Sequence, residues 1–393
     1  MSSDEKQTSV PRRDVGRRPS RSRRFRTIRT AAIAVVALLV VATTASVAPA
    51  LTAPGTDSTA ARLAEWGRDH GLGWAVTALE QVQYSHTAPT VGGTIEGGLP
   101  TASSQTSVQG SPSRTSKATT AAPAALAPLV DPAVPGEGAW RDLYAVNGVT
   151  AARAASLRPD AEHTGYYVQV VWMDPKLVRF ALHPGYKVPG PGLTPENRLT
   201  PDELDSVLAT FNSGFLMTDA RGGYWQNGQS IVPLRAGAAS MVLTADGRLH
   251  VEAWPGGTPG SDVTAVRQNL DMVIENGAMS PAVSQASAAV WGKTVGNAAY
   301  VWRSGIGVRA DGSVVFVVGP AMTIQTLAAV LQDAGAVNAM ELDINPDWTN
   351  YITYTHPAPG NAAPAVLPPP NPSVSPSRYL QPSSRDFVAV LPR

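Results

Sequence analysis

The sequence predicts an α/β protein of the mixed α+β kind, a single globular domain whose central mixed β-sheet is flanked by helices, preceded by an apolar helix and a linker. Three observations predict it. Beyond residue 136, strand-like runs with alternating or continuous apolar residues recur, two of them turn on Asp-Gly pairs, and a capped amphipathic helix separates the last of these turns from another such run.

The N-terminal elements follow from charge and hydropathy. Residues 1–30 hold nine Arg and one Lys against Asp4, Glu5 and Asp14, whereas the rest of the chain has 21 basic and 27 acidic residues. A basic end before an apolar stretch is a membrane-topology signal, and the globular part has no basic surface for nucleic acid. Residues 1–30 are therefore read as a cytoplasmic segment. Residues 31–51, "AAIAVVALLVVATTASVAPAL", are read as a transmembrane anchor with the C-terminal domain extracellular. A signal peptide cleaved near Ala50, after the small-x-small pattern of "VAPA", is the alternative, and it leaves the domain secreted. Cysteine is absent, which excludes disulfides and thiolate chemistry, and the six His are too dispersed for a catalytic zinc site.

Residues 52–86 predict two short juxtamembrane helices, capped by Ser58 and broken at Gly71 and Gly73. Residues 87–135, rich in Ala, Pro, Ser and Thr, predict a disordered tether. The domain then occupies residues 136–393. "TGYYVQVVWM" and "VRFALH" predict strands; Thr200, Pro201 and Glu203 predict a capping box opening a helix through "LDSVLAT". "SMVLTADGRLHVEAW" and "GIGVRADGSVVFVV" predict hairpins, and "MTIQTLAAVLQDAG" a helix between its cap Thr323 and Gly335. "NAMELDI" returns as a strand, which makes a parallel crossover whose carboxyl end is the expected place for a ligand. The Pro- and Ala-rich stretch from His356 to Ser377 is a candidate lid, and "RDFVAVL" predicts a closing strand.

In "MELDINPDW", alternation puts Glu341, Asp343 and Asn345 on one face, two acids and an amide together. Asp343, Asn345 and Asp347 also mimic the start of a calcium loop, but Trp348 stands where that loop needs glycine and Tyr354 where it needs glutamate. No cofactor is expected; a divalent cation held in some other way is the alternative.

"FNSGF", "QNLDMVIENG", "RSGIGVRADGSVVFVV" and the Leu342-Asp343 pair after the helix follow one another as in the phosphodiester glycosidase family, which the chain resembles from Val168 to Leu391. The resemblance matches Asn212 and Gly214 to the family's asparagine-glycine motif, Arg303 to its arginine and Asp343 to its aspartate. It implies hydrolysis of a sugar-1-phosphodiester, with a sugar-phosphate or cell-wall glycan as substrate. After the aspartate, "INPDW" replaces the family's run of glycines and serines, and Pro346 has no amide hydrogen for a phosphate. In this reading Asp343 stabilises or attacks the sugar cation and Glu341 serves as acid or base. Arg303 is the fork for the phosphate, with Arg235 behind it; Asn212, Asn276, Asn345 and Asp347 complete the substrate-binding set. A glycan-binding module without catalysis is the alternative.

Overall fold

A computed structural model describes residues 21–100, 122–285, 288–292 and 299–393. Most of the basic segment and the middle of the expected tether lie outside them. The chain divides into two compact units, Met1–Ala53 and Pro54–Arg393. The first holds α1 (Arg21–Leu51). Within it the 24 residues Ile28–Leu51 are long and apolar enough to cross a membrane, a property that a signal sequence shares.

The second unit opens with α2 (Thr59–Asp69) and α3 (Gly73–Thr87). Ser58 caps α2 by accepting a hydrogen bond from the Ala61 amide at 3.0 Å. Gly71, at φ +76°, ends it in the left-handed conformation that favours glycine. Of the tether expected over 87–135, residues 87–100 and 122–135 are described, and parts of them make contacts with the domain. The Thr90 amide donates to the Tyr166 hydroxyl at 3.2 Å, and the Leu126 amide donates to the Gly138 carbonyl at 3.0 Å. Glu137 pairs with Arg158 at 2.9 Å, and Leu99, Leu126 and Val130 are buried. Hydrogen bonds and the burial of these three apolar side chains hold the described parts of this stretch.

Then come β1 (Arg141–Val146), β2 (Val149–Leu157), β3 (Val168–Met173), β4 (Val178–His183), α4 (Pro201–Leu204), β5 (Ala209–Asn212), β6 (Tyr224–Gln226), β7 (Gln229–Val232), β8 (Ala239–Thr244) and β9 (Leu249–Ala253). They are followed by β10 (Val263–Gln268), β11 (Met272–Glu275), β12 (Ala278–Met279), α5 (Pro281–Gln285), α6 (Ala288–Trp291), β13 (Val301–Arg309) and β14 (Val314–Met322). The last are α7 (Ile324–Asp333), β15 (Ala336–Glu341), β16 (Tyr351–Ala358), β17 (Asn361–Val366) and β18 (Phe387–Pro392). The capping box at Thr200 is present, its amide donating to Glu203 Oε2 at 2.8 Å, but α4 lasts a single turn. The expected helix through "LDSVLAT" is instead a turn leading into β5, because Ala209 and Phe211 are needed as strand residues in the core.

Three sheets result: an eight-stranded one in the order β1-β2-β3-β14-β13-β15-β11-β12, and two five-stranded ones, β7-β6-β10-β8-β9 and β17-β16-β5-β18-β4. The mixed α+β class holds, but sheets dominate and the single central mixed sheet does not form. β13 pairs antiparallel with both β14 and β15, so the crossover strands are parallel to each other but separated by one strand. Period-two alternation builds the core. Phe316 and Val318 of β14 join Phe211, Met241, Met340 and Val388 in the cluster shared by all three sheets, while Val315 and Val317 face α7 through Leu327 and Leu331. The two Asp-Gly hairpins form as expected, but β8 and β9 belong to a different sheet from β13 and β14. The stretch read as a lid is partly the β16–β17 hairpin. Beyond it, Asn371 donates to the Pro346 carbonyl at 2.7 Å, which holds this segment over the loop after β15.

Candidate active site

One strand from each sheet ends at the same place: β15 at Glu341, β5 at Asn212 and β10 at Gln268. Ser304 on β13 joins the first two. Its Oγ accepts hydrogen bonds from Asn212 Nδ2 at 2.9 Å and from the Asp343 amide at 3.1 Å. Asn269, just beyond β10, donates from Nδ2 to the carbonyls of Glu341 at 2.9 Å and Leu342 at 3.0 Å. Its Oδ1 accepts from the Phe215 amide at 3.0 Å. Asn212 Oδ1 accepts from the Asn350 amide at 3.0 Å, so polar side chains clamp both ends of the loop that carries Asp343.

The glycine of "FNSGF" has a physical reason. A Cβ at Gly214 would stand 2.9 Å from Asn269 Oδ1 and 3.0 Å from its Cγ. Gly214→Ala must therefore displace Asn269 from the clamp. The expected cost is about 1–3 kcal/mol, typical of overpacking a filled site, read as a lower midpoint of urea unfolding. An unchanged midpoint would show that the clamp does not hold the fold.

Asp343 is buried, and its Oδ1 accepts from the amides of Ile344 at 2.7 Å and Asn345 at 2.9 Å. Its Oδ2 accepts no hydrogen bond from a described residue. Burial pushes this carboxyl up to about 6, against the opposing pull of Arg385, the two amides and Arg267. Glu341 is fully buried, and one of its oxygens pairs with Arg303 while Oε2 has no partner. Burial pushes it up to about 7; Arg303 opposes the rise and the Asp343 charge adds to it.

Several expectations about individual residues change. Arg303 is not a fork open to substrate: its Nε donates to the Met322 carbonyl at 3.0 Å and its Nη1 to Glu341. Glu341 consequently faces a buried ion pair rather than a hollow. Arg235 is exposed and paired with Asp271 at 3.0 Å, outside the clamp. Asn276 is an exposed turn residue at φ +51° between β11 and β12, also outside it. Asn212 lies at the centre but is committed to the backbone and Ser304. Asn345 and Asp347 are half-buried in the loop, and Asn345 Oδ1 accepts from the Asp347 amide at 2.8 Å. Burial raises the Asp347 carboxyl above its ordinary range, against a hydrogen bond from Ser373 and the charge of Arg378. As possible cation ligands, Asp343 and Asn345 each direct an oxygen to loop amides. Among the described residues no group of three or more His, Cys, Asp or Glu converges as metal ligands would.

Other residues of the site escape a reading of the sequence. Arg267 and Asp386, both fully buried, pair at 2.8 Å, and Arg267 also donates to the Gln268 carbonyl at 2.6 Å. Arg378 and Arg385 rest on the Trp348 ring at 4.8 Å and 4.4 Å from its centroid. Of the four tryptophans that could have offered a sugar platform, Trp291 and Trp348 are buried, and Trp225 and Trp302 half-buried. Asn269 was within reach as part of "QNLDMVIENG", and Arg385 as the charge directly before a closing strand.

Buried polar atoms without partners collect at this junction: Ser213 Oγ, Glu341 Oε2, Thr349 Oγ1, Asn350 Oδ1, Arg378 Nε, Arg385 Nε and Asp386 Oδ1. Stability does not explain them, since each costs free energy, and such groups concentrate where a fold serves chemistry. A cavity of about 340 Å³ opens on a neighbouring part of the domain, lined by Gly185, Tyr186, Leu193, Arg198 and Pro382 among others, and none of the carboxylates above reaches it.

Two buried acids, Glu341 and Asp343, thus lie at the convergent ends of these strands. Residues 205–343 match the family model for phosphodiester glycosidase, and through this segment the chain is similar to that family. The match takes in Asn212, Gly214, Asn269, Arg303, Glu341 and Asp343 and stops before "INPDW". Among solved structures, the chain is similar to the catalytic domain of zebrafish N-acetylglucosamine-1-phosphodiester alpha-N-acetylglucosaminidase, in a form auto-inhibited by its pro-peptide. That likeness has 15% identity, a TM-score of 0.39, and covers 65% of this chain and 88% of that one. It is also similar to a protein from Synechocystis at 13% identity and a TM-score of 0.35, over 63% of each chain. No curated protein matches the sequence.

Proposed function

We propose that the chain hydrolyses sugar-1-phosphodiesters of cell-envelope glycopolymers, with its catalytic domain outside the membrane and residues 31–51 as anchor, and with Asp343 as the group that meets the sugar. The observation that supports this most is the state of Asp343, a buried carboxylate with one oxygen fixed by two amides and the other free, inside the family-matched segment. Water adds to the anomeric carbon, the bond from that carbon to the phosphate oxygen breaks, and its electron pair leaves with the phosphate. The products are the free sugar and a phosphomonoester. The leaving group is already an anion, so it needs little protonation, and the main demand is stabilisation of positive charge on the sugar.

Asp343 works in its ionised form, so turnover is expected to rise as pH climbs through about 6. Glu341, sealed behind it, is a positioning residue in this scheme. Glu341→Gln keeps an oxygen for Arg303, and because Glu341, at about 7, is still largely protonated where Asp343 titrates at about 6, the acid limb is expected to stay in place, with kcat reduced by no more than about tenfold. A loss as large as that of Asp343→Asn would instead put Glu341 in contact with substrate.

The direct test is turnover of a chromogenic sugar-1-phosphodiester by the full chain without added metal. Release of the aryl phosphate supports the hydrolase. Saturable binding without release would leave the chain a glycan-binding module, a reading favoured by the replacement of the glycine-serine run with Asn345 and Pro346.

A further inference from the structure

The loss of the glycine-serine run raises the question of what holds the phosphate, and Arg303 is already spent on Glu341. Outside the family-matched segment, three cations gather around Asp57 and Glu65, and one of them, Arg385, also acts on Asp343. Arg385 precedes β18 and is the cation that most opposes the rise of the Asp343 carboxyl. Arg378 lies in a short turn at Arg378–Leu380, and Lys187 follows β4. Both arginines are buried, both keep an unpartnered Nε, and both are stiffened by Trp348.

What they hold now is informative. Glu65 on α2 places Oε1 3.1 Å from Arg385 Nη2 and Oε2 against Lys187 Nζ. Asp57 stands 3.8 Å from Arg378 Nη2 and accepts from the Ser384 hydroxyl at 2.6 Å. Burial alone would raise the Glu65 carboxyl, but Arg385 and Lys187 outweigh it and hold it below its ordinary range. Two carboxylates thus supply oxygens to three cations and a hydroxyl, which is the donor set that a phosphate would take.

The geometry points to an oxyanion site, formed by Lys187, Arg378, Arg385 and Ser384, that receives the phosphate of the substrate and is filled in this structure by Asp57 and Glu65. Its ligand assignment rests on the hydrolase reading above. The segment bearing Asp57 and Glu65 and the phosphate are then alternative occupants, and binding one releases the other. A phosphate on Arg385 lies beside Asp343, so the sugar it carries falls to that carboxylate.

The test is calorimetric titration of the full chain with inorganic phosphate at constant ionic strength. Asp57→Asn/Glu65→Gln is expected to bind phosphate at least tenfold more tightly than the unsubstituted chain. Adding Arg385→Gln to that variant is expected to abolish the gain, and dimethyl phosphate, a diester monoanion, is expected to compete. Because Arg385 is buried, Lys187→Gln, a partly exposed position, is the second probe and is expected to weaken binding several-fold with an unchanged melting temperature. Phosphate binding that ignores both the acidic and the basic substitutions overturns the site, and failure of dimethyl phosphate to compete overturns its assignment to the substrate diester. Turnover is scored separately. A chain that binds phosphate in this pattern but releases no product refutes the hydrolase and keeps the site, whereas turnover with no such binding pattern does the reverse.

Discussion

Asp343→Asn is expected to lower kcat/KM for a chromogenic sugar-1-phosphodiester by about a thousandfold or more, equivalent to roughly 4 kcal/mol of transition-state stabilisation. The substitution is suited to the site. An amide oxygen at the Oδ1 position can still accept from the amides of Ile344 and Asn345, so the loop should keep its shape. The negative charge that faces the developing sugar cation is lost. A folded variant, judged by its circular dichroism and melting temperature, that retains more than a tenth of the activity would remove Asp343 from the chemistry. Arg385, the cation nearest in effect to Asp343, would then be the remaining charged group to examine.

Asp386→Ala is expected to destabilise the domain by about 3–5 kcal/mol in urea unfolding, the usual cost of leaving a buried charge unpaired. Arg267 and Asp386 have no exposed side-chain surface, and the guanidinium is also bound to the carbonyls of Gln268 and Phe215. It cannot reach water when its partner is removed. Replacing both members, as Arg267→Met/Asp386→Leu, is expected to recover part of the loss, because the uncompensated charge disappears and only the two carbonyls remain unserved. The exposed pair Arg248–Asp246, at 2.9 Å on the β8–β9 turn, makes the contrast: breaking it is expected to leave the urea midpoint essentially unchanged. Equal losses at the two pairs would mean that burial does not set their worth.

The strands with strong alternation and clear turns were legible in the sequence, as were α7 with its cap and the two Asp-Gly hairpins. β1 and β2 were not, because Ala151, Ala152, Ala154 and Ala155 are all buried and show no polar alternation to mark a face. The helix after Thr200 was overestimated because a good capping box specifies where a helix starts, not how far the following residues are claimed by a sheet. At the site, the motif order led to Asp343 and Asn212, and alternation paired Glu341 with Asp343. The residues that support them were hidden by distance along the chain. Ser304 meets Asn212, Arg267 meets Asp386 and Glu65 meets Arg385 only after three sheets have closed. The same blindness turned Arg303 into a free cation, since its ion pair with Glu341 exists only across the β13–β15 pairing.

β18 lies between β5 and β4, antiparallel to both, although it is made long after either. A ribosome therefore delivers β4 and β5 into solution with a gap between them, and their open edges must be kept from pairing with other chains until the missing strand arrives. Early handling by a chaperone would then matter more to the yield of this protein than its equilibrium stability does.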